Sequence, residues 1–372
     1  MNRGGGDGSL LRRINCVAVL RTLHGGGELT LRELAERAGV SRNTAEDAVV
    51  TLVDRGLVAE VSPEDDGNRP VGRPAKRYRF RPDAGVVLGA DFAVHESNVL
   101  VVDLYGNLVG RYSAPADPDA TADERVRAAG TVLRQAVRTS GVRQNVILAV
   151  GVATTGIVTP EGRVLRSERL PRMEGRELAS DLAVFGDTPV IVGNDARLAT
   201  VAEHWRGAAT GFSDVVNILA GRHITAGIVL GGKVLHGTHG AAGEVGTLPQ
   251  SLWRSALDEI AAWPDAPEAV FALAEAGDRA AMDRVDSVAH KLATGVATVV
   301  LAVDPQCVIV SGGLSGAGAT LLDPLQRHLD ALTLFSIPVL KSTLDHDAVA
   351  FGAARLALDH VERQLFDADS AI

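Results

Sequence analysis

The N-terminal fold of this chain is set by residues 30–57, which read TLRELAERAGVSRNTAEDAVVTLVDRGL. Apolar residues recur at helical spacing up to Ala38, and Gly39 then breaks the pattern. A second helix is predicted to begin at Ser41, whose hydroxyl can cap free backbone N–H groups. Two short helices joined by a tight turn are typical of a helix-turn-helix, with an ordinary hairpin in a helical core as the alternative.

The flanking sequence extends this motif to a winged helix-turn-helix. Upstream, apolar residues from Leu10 to Leu20 predict a supporting helix. Downstream, residues 57–61 and 75–80 are predicted to form two strands joined by a turn rich in Pro, Asp, Gly and Asn. In such a module the first turn of the second helix faces base edges in the DNA major groove. We therefore predict DNA contacts by the polar residues of that turn: Ser41, Arg42, Asn43 and Thr44.

A basic segment follows the predicted wing. The segment Arg69–Arg81, RPVGRPAKRYRFR, holds six Lys or Arg and no acidic residue. Such a segment can neutralise DNA phosphates, and its narrow Gly-Arg-Pro portion can lay an arginine into the minor groove. A solvated linker is the alternative. The predicted contacts are Arg73 in the minor groove and, on phosphates, Lys76, Arg77 and Arg79.

Composition and charge bound the remainder of the chain. The formal net charge is −9, yet residues 1–81 carry 14 Lys or Arg against 11 Asp or Glu. An acidic remainder would orient the basic N-terminal part towards DNA. The 372 residues suit more than one domain, and we predict a DNA-binding domain at 1–81 and a second domain at 82–372.

Cysteine content and hydropathy exclude several classes of protein. Only Cys16 and Cys307 occur, so neither a disulfide framework nor a cysteine zinc site is expected. The sequence has no long apolar run and no signal-peptide core, which predicts a soluble, cytoplasmic protein without a membrane partner.

From Pro82 onward the pattern changes to alternating strands and helices. Two three-strand meanders, each followed by helices and strands in alternation, predict a duplicated α/β architecture of the sugar kinase–actin type. The meander strands are predicted at 86–92, 99–102 and 108–112, and at 215–220, 224–230 and 234–235. The other predicted strands are 146–153, 190–192 and 307–311, and the predicted helices are 122–140, one beginning near 196, one within 267–276, 279–303 and 347–364.

Three segments resemble the ROK family of repressors and sugar kinases. The segment Gly232–Gly246, GKVLHGTHGAAGEVG, resembles the family signature. Asn194-Asp195-Ala196 is similar to the family's sugar site, and Val303–Ser315 is similar to its segment at the adenosine end of the cleft. The preceding winged helix is typical of the regulator branch, which has the xylose and N-acetylglucosamine repressor types.

The resemblance also shows where this chain departs from the kinases. They carry an Asp-x-Gly-Gly-Thr phosphate loop between the first two strands, where this chain reads DFAVHES from Asp91 to Ser97. Side chains at those positions put a Cβ where the backbone must approach phosphate. The second loop, AGRHITAG, has Arg222 and His223 in its turn. We therefore predict no ATP-dependent catalysis and no cofactor.

The resemblance implies that the cleft binds a sugar or a sugar derivative. The implied contacts come from Asn194, Asp195 and Glu244. For the Asn194-Asp195 pair, a helix cap is the alternative.

Three positions depart from the family's sugar site. Thr247 stands where the family has a histidine that binds sugar and zinc, so no metal site is predicted. Asp258 replaces a longer glutamate. Arg169 replaces an asparagine, and it either selects a charged ligand such as a sugar phosphate or forms a salt bridge with a neighbouring carboxylate.

These observations together predict a transcriptional repressor of the ROK type. Its partners would be double-stranded operator DNA, a sugar or sugar-phosphate effector, and further copies of the chain in a homodimer or a dimer of dimers. The alternatives are a sugar kinase fused to a DNA-binding domain and a ROK-like regulator that senses no ligand.

Overall fold

The computed structural model describes residues 6–61 and 75–368 of the chain. The part of the basic segment before Ala75, including Arg73, lies outside the described residues, so the predicted minor-groove contact stays a prediction. The N-terminal part consists of three helices and three short strands: α1 (Gly6–Gly26), β1 (Leu29–Thr30), α2 (Leu31–Ala38), α3 (Arg42–Asp54), β2 (Val58–Val61) and β3 (Arg77–Phe80).

Local capping explains the boundaries of the helix pair. Helix α2 begins at a capping box in which the Thr30 N–H donates to Glu33 Oε2 at 2.7 Å and the Glu33 N–H donates to Thr30 Oγ1 at 3.3 Å. It ends at Gly39, whose φ of 67° lies in the left-handed region. Helix α3 begins after Ser41, which accepts from the Thr44 N–H at 3.1 Å. The predicted helix-turn-helix is confirmed.

A small antiparallel sheet completes the winged helix. Strands β2 and β3 pair antiparallel, which confirms the predicted two-stranded wing, and the register places Val58 opposite Phe80. Strand β1 adds a third member by pairing Leu29 with Tyr78. The sequence did not predict β1, because two residues are too short to show a period of two.

Two five-stranded sheets form the rest of the chain. The first has the order β6-β5-β4-β7-β10 and the second has the order β13-β12-β11-β14-β15. Each sheet is a meander whose first strand also pairs in parallel with a fourth strand, so the predicted duplication is confirmed. The strands are β4 (Val86–Phe92), β5 (Glu96–Asp103), β6 (Leu108–Pro115), β7 (Ile147–Thr154), β10 (Val190–Asn194), β11 (Val215–Ala220), β12 (Ile224–Leu230), β13 (Lys233–Val234), β14 (Cys307–Ser311) and β15 (Val339–Lys341), with β8 (Ile157–Val158) and β9 (Val164–Arg166) pairing separately.

The helices cover these sheets, and two of them lie between the sheets: α6 (Asp195–Arg206) and α11 (Ala348–Leu365). Glycines let the backbones approach. A Cβ added to Gly151 on β7 would lie 1.8 Å from the Ala353 carbonyl oxygen, and one on Gly352 would lie 1.8 Å from the Leu198 carbonyl oxygen. The remaining helices are α4 (Ala122–Thr139), α5 (Leu178–Asp181), α7 (Trp253–Ala261), α8 (Pro267–Glu275), α9 (Arg279–Val303) and α10 (Ala319–Leu332).

The sequence prediction missed two substantial helices. Helix α10 contains Pro324, a residue that normally ends a helix, yet Pro324 is buried and the helix continues to Leu332. Helix α7 begins after Leu252, which adopts a φ of 60° and caps nothing with its side chain. Neither helix has the polar cap that marks a helix start in a sequence.

Helix α9 is the one helix among residues 6–61 and 75–368 whose length and apolar composition would suffice to cross a membrane. Of the most apolar 18-residue stretch of this helix, 56% is buried inside the fold. Val288, Leu292 and Val296 pack in the core of the second half, against α8 and α10.

The winged helix packs directly on the first sheet and on α11. Four rings form what we call the aromatic joint, with neighbouring ring centroids 5.0 to 5.3 Å apart: His24, Phe80, Tyr105 and Phe366. The Tyr105 hydroxyl donates to the His24 carbonyl at 3.2 Å, and Arg21 donates to the Phe366 carbonyl at 3.1 Å. One apolar cluster therefore crosses the predicted domain boundary at residues 81 and 82.

Candidate functional site

The first turn of α3 presents two free polar side chains to solvent. Arg42 and Asn43 are exposed, and both project from the helix start. The hydroxyls of Ser41 and Thr44 lie 2.8 Å apart and are engaged in the cap. Of the four predicted DNA contacts, Arg42 and Asn43 are therefore the ones available for base readout, and their role stays a prediction.

Two acidic side chains follow one turn later on α3, and neither was predicted as a site residue from the sequence. Glu46 and Asp47 are exposed at positions four residues after Arg42 and Asn43, on the same helix face. Carboxylates repel DNA phosphates, although they can accept a hydrogen bond from a cytosine amino group. Their spacing from the helix start was the signal that could have revealed them.

The basic strand alternates, with Tyr78 and Phe80 buried and its arginines exposed. Lys76 lies 2.7 Å from Glu60 Oε2, and Arg77 donates to the Glu28 carbonyl at 3.0 Å. Exposed pairs of this kind are worth little, so a phosphate can replace them. Arg79 is exposed, and no carboxylate of residues 6–61 or 75–368 lies within 4 Å of it.

The second candidate site is the cleft between the two sheets. A cavity of about 450 Å³ opens there, at the carboxyl end of β4 and at the N-terminus of α6. Ligands of α/β proteins usually bind at such strand ends. A larger cavity of about 1470 Å³ adjoins it, and both are lined by Arg169 and by the turn between β11 and β12.

Asn194 is a helix cap in this structure. Its Oδ1 accepts from the Arg197 N–H at 3.0 Å, and its Nδ2 donates to the Gly156 carbonyl at 3.0 Å and to Asp195 Oδ1 at 3.1 Å. The side chain is buried, and these contacts use its donors and acceptor. The cap alternative thus describes Asn194 better than a direct sugar contact does.

Asp195 lies in the smaller cavity with Asp91, a residue that was not among the predicted site residues. Loss of hydration raises the pKa of Asp195 to about 7, and the charge of Glu244 adds to this. Loss of hydration likewise raises the pKa of Asp91 to about 8, with further contributions from Asp195 and Glu96. Asp91 survives from the family's loop pattern, which was the signal for it.

Glu244 is held beside Asp195 by a tight backbone contact. A Cβ on the preceding Gly243 would lie 1.9 Å from the Ala226 carbonyl oxygen, so only glycine fits against β12. Burial raises the pKa of Glu244, and the neighbouring Arg197 opposes this shift. Arg197 is itself buried and lies 3.1 Å from His236 Nδ1. Arg197 was not predicted as a site residue.

The other predicted effector residues lie apart from Asp195. Asp258 is exposed on α7 and lines the larger cavity. Thr247 is exposed and donates to the Glu244 carbonyl at 2.8 Å. Arg169 is exposed, lines both cavities and has no carboxylate within 4 Å among the described residues. The salt-bridge alternative for Arg169 therefore finds no partner in the described part of the chain.

The two turns that carry phosphate loops in the kinases meet across the cleft. His95, between β4 and β5, lies 3.3 Å from Arg222, between β11 and β12, measured from Nε2 to Nη1. The carbonyls of Ala93 and Val94 accept from the Arg125 guanidinium at 3.4 and 3.1 Å. No group of three His, Cys, Asp or Glu in the described ranges is arranged to hold a metal ion.

The fold and the cleft define a sugar kinase–like α/β protein with an appended winged helix-turn-helix. Residues 87–259 and 263–360 match the model of the ROK family. The chain therefore belongs to the ROK family. Residues 13–67 match the model of the MarR family, which makes the N-terminal module a winged helix of MarR type.

Comparisons over the whole chain find regulators. The xylose repressor of Caldicellulosiruptor bescii is 21% identical over 95% of this chain and 97% of its own length. The DNA-binding transcriptional dual regulator NagC of Escherichia coli K12 is 24% identical over 94% of each chain. The crystal structure of a ROK family transcriptional regulator, a homolog of the E. coli MLC protein, superposes with a TM-score of 0.72 at 19% identity, covering 96% of this chain and 98% of that one.

Kinases match a smaller part of the chain. A glucokinase of Halalkalibacterium halodurans is 31% identical over 182 residues, which are 39% of this chain and 55% of the enzyme. This chain therefore spans about half the length of that relative.

The raised pKa of Asp91 predicts how stability changes with pH. A carboxyl group that is protonated in the folded state stabilises the fold below its unfolded pKa, and this contribution is lost as the pH rises through about 8. The substitution Asp91→Asn should remove this pH-dependent loss of stability. When the pH is raised from 6 to 9, we expect the unfolding free energy of the wild type to change unfavourably relative to that of the variant by about 1 to 3 kcal/mol.

Urea unfolding at both pH values measures this difference. Asp187→Asn, an exposed aspartate in neither cavity, is the control and should follow the wild type. Parallel pH profiles for the wild type and Asp91→Asn would contradict the prediction.

Proposed function

We propose that this ROK family protein is a transcriptional repressor that releases its operator when a sugar or sugar derivative binds in the cleft. The observation that carries the proposal is one chain with a MarR-type winged helix before a ROK cleft, similar over its whole length to named repressors. Arg42 and Asn43 read the operator, and Asp195 accepts a hydrogen bond from a sugar hydroxyl.

We further propose that the chain does not phosphorylate its sugar. Phosphoryl transfer needs backbone N–H groups and a metal ion around the phosphates. Here the side chains of His95 and Arg222 fill the two turns, and the nearby Ala93 and Val94 carbonyls face Arg125. Asp195 keeps the position of a proton acceptor, but the first turn has Ala93, Val94 and His95 instead of glycines, and Gly221 is the one glycine of the second turn.

Helix α11 supplies a physical connection between the cleft and the winged helix. Asp347 and Val349 at its start line the smaller cavity, and Phe366 just after its end belongs to the aromatic joint. A ligand regulates only by favouring one arrangement of these parts over another. We propose that cleft closure shifts α11 and thereby the winged helix.

The proposed assembly is a homodimer or a dimer of dimers. Two winged helices placed by a two-fold axis would bind half-sites about one helical turn of DNA, or a multiple of it, apart. A change of spacing between the two would weaken operator binding without altering either helix.

Operator binding with and without sugars tests the proposal. Footprinting with the full-length protein on genomic DNA identifies an operator, and titration then measures its affinity with xylose, glucose, N-acetylglucosamine and their phosphate esters. We expect one sugar class to weaken binding by about 5- to 150-fold. Asp195→Asn should keep the operator affinity and lose the response, whereas Asp187→Asn should keep both.

Two outcomes would contradict the proposal in different ways. Sugar-stimulated ATP consumption in a coupled assay, lost in Asp195→Asn, would establish a kinase fused to a DNA-binding domain. An operator affinity that no sugar of either class changes would leave a ligand-independent regulator.

A further inference from the structure

Six basic side chains line the smaller cavity, and we call four of them the cationic cluster: His95, Arg169, Arg222 and His223. The other two are Arg111, which pairs with Asp347, and His346. The residues of the cationic cluster come from three separate segments, which are the turn after β4, the segment after β9 and the turn after β11. Arg222 and His223 also face the larger cavity. Three distant segments thus bring positive or ionisable groups to one place.

The arginines of this cluster lack carboxylate partners. Neither Arg169 nor Arg222 has an Asp or Glu oxygen within 4 Å among residues 6–61 and 75–368, and within those residues the one side-chain hydrogen bond of Arg222 is with His95. By contrast, the nearby Arg254 pairs with Glu168 and Arg111 pairs with Asp347. Like charges held together without a partner are unfavourable unless an anion compensates them.

The histidines respond to this surplus of positive charge. Loss of hydration lowers the pKa of His95, and Arg222 and Arg169 lower it further. Loss of hydration also lowers the pKa of His223, with Arg169 again contributing. Neutral histidines beside two guanidinium groups can still donate hydrogen bonds to an anion.

The carboxylates of the same cavity do not cancel the cluster. Asp347 is bound by Arg111 and by the Asn98 amide at 3.0 Å. Asp91, with a pKa of about 8, is mostly protonated at neutral pH, and Asp195, with a pKa of about 7, is partly protonated. Glu96 and Asp345 remain as exposed carboxylates, and Lys341 Nζ lies 3.9 Å from Asp345 Oδ1.

We propose that the effector is an anionic sugar, with a phosphate ester or a carboxylate held by the cationic cluster and with hydroxyls facing Asp195. The volume of about 450 Å³ suits a ligand of monosaccharide size. The anion would touch side chains from both sheets, because His95 and Arg222 belong to the two equivalent turns. This inference rests on the proposed function and assigns the chemical class of its effector.

Isothermal titration of the full-length protein tests the charge requirement. The probes are glucose, N-acetylglucosamine and xylose, their phosphate esters, glucuronate, inorganic phosphate and ADP. We expect an anionic sugar to bind at least tenfold more tightly than its neutral parent. Arg222→Gln and Arg169→Gln should each weaken the anionic sugar about tenfold or more and leave the neutral sugar within twofold, since charge-assisted hydrogen bonds are lost. Arg138→Gln on α4, which lines neither cavity, is the matched control.

The outcomes separate this inference from the proposed function. A preference for the phosphate ester or for glucuronate supports the inference and identifies the source of the anion. Equal binding of neutral and anionic sugars overturns the inference while leaving a sugar-responsive repressor. Binding of ADP without binding of any sugar also overturns the inference, and so does the absence of binding by every probe. If the full-length protein does not bind operator DNA in a separate titration, that result contradicts only the proposed function.

Discussion

Arg42→Ala combined with Asn43→Ala is expected to lower the affinity for the cognate operator by about 10² to 10⁴-fold and to leave binding to random DNA within about threefold. Both side chains are exposed at the start of α3, where a recognition helix meets base edges. Each good base contact is worth about 1 to 3 kcal/mol, so two of them are worth about 2 to 6 kcal/mol, and the expected loss of affinity lies within that range. Fluorescence anisotropy on operator and scrambled duplexes measures both affinities.

Substitution of Arg79, which we expect to contact DNA phosphates, should change DNA affinity in a different way. Arg79→Ala should weaken operator and random DNA alike and reduce the salt dependence by about one unit of slope. Arg138→Ala on α4 serves as the control for loss of an exposed arginine. If the Arg42–Asn43 double variant lost both duplexes equally, these residues would be phosphate contacts and readout would lie elsewhere.

Gly151→Val is expected to leave the ROK domain unable to reach its native packing. A Cβ at this position would lie 1.8 Å from the Ala353 carbonyl oxygen, and that oxygen belongs to the rigid backbone of α11. Because α11 also packs on α6 and on the winged helix, it cannot withdraw without disturbing both. We expect a loss of more than about 4 kcal/mol in unfolding free energy, or insoluble protein.

Gly25→Ala is the matched control for this substitution. Gly25 lies in the last turn of α1, and no atom would lie within 4 Å of its added Cβ. Its expected effect is between zero and about 1 kcal/mol of stabilisation, because alanine favours the helix. Thermal unfolding of soluble protein measures both variants. A Gly151→Val protein that melts with the wild type would show that α11 can move.

Local sequence signals predicted most of the elements. The capping residues Thr30 and Ser41, the glycine at 39 and the apolar spacing were enough to locate α2 and α3. The two meanders likewise predicted the duplicated sheets. The failures have local causes, since β1 is too short for a period and α10 contains Pro324 inside its first turns. A helix or strand that lacks both a capping residue and periodic apolar spacing cannot be predicted from these local signals.

The cleft was harder to predict because its contacts are distant in sequence. The sequence located Asp195 through the strand end and the family motif, but it left a sugar contact and a helix cap as alternatives for Asn194, whose side chain caps α6. It could not show that His95 and Arg222, 127 residues apart, touch each other. Such pairings depend on how the two halves are placed, and a single sequence carries no direct signal for that placement.

The aromatic joint has a consequence for building hybrid regulators. An exchange that cuts the chain after residue 81 would transfer His24 and Phe80 but leave behind Tyr105 and Phe366, the two rings that they pack against. At the aromatic joint, the transferred winged helix would then pack against side chains of the recipient protein in place of Tyr105 and Phe366. A hybrid with native coupling needs three pieces from the donor, namely the winged helix, the β5–β6 turn and the final residues after α11. The segments that must be exchanged together are therefore those that pack against each other, and a single cut after residue 81 does not separate them.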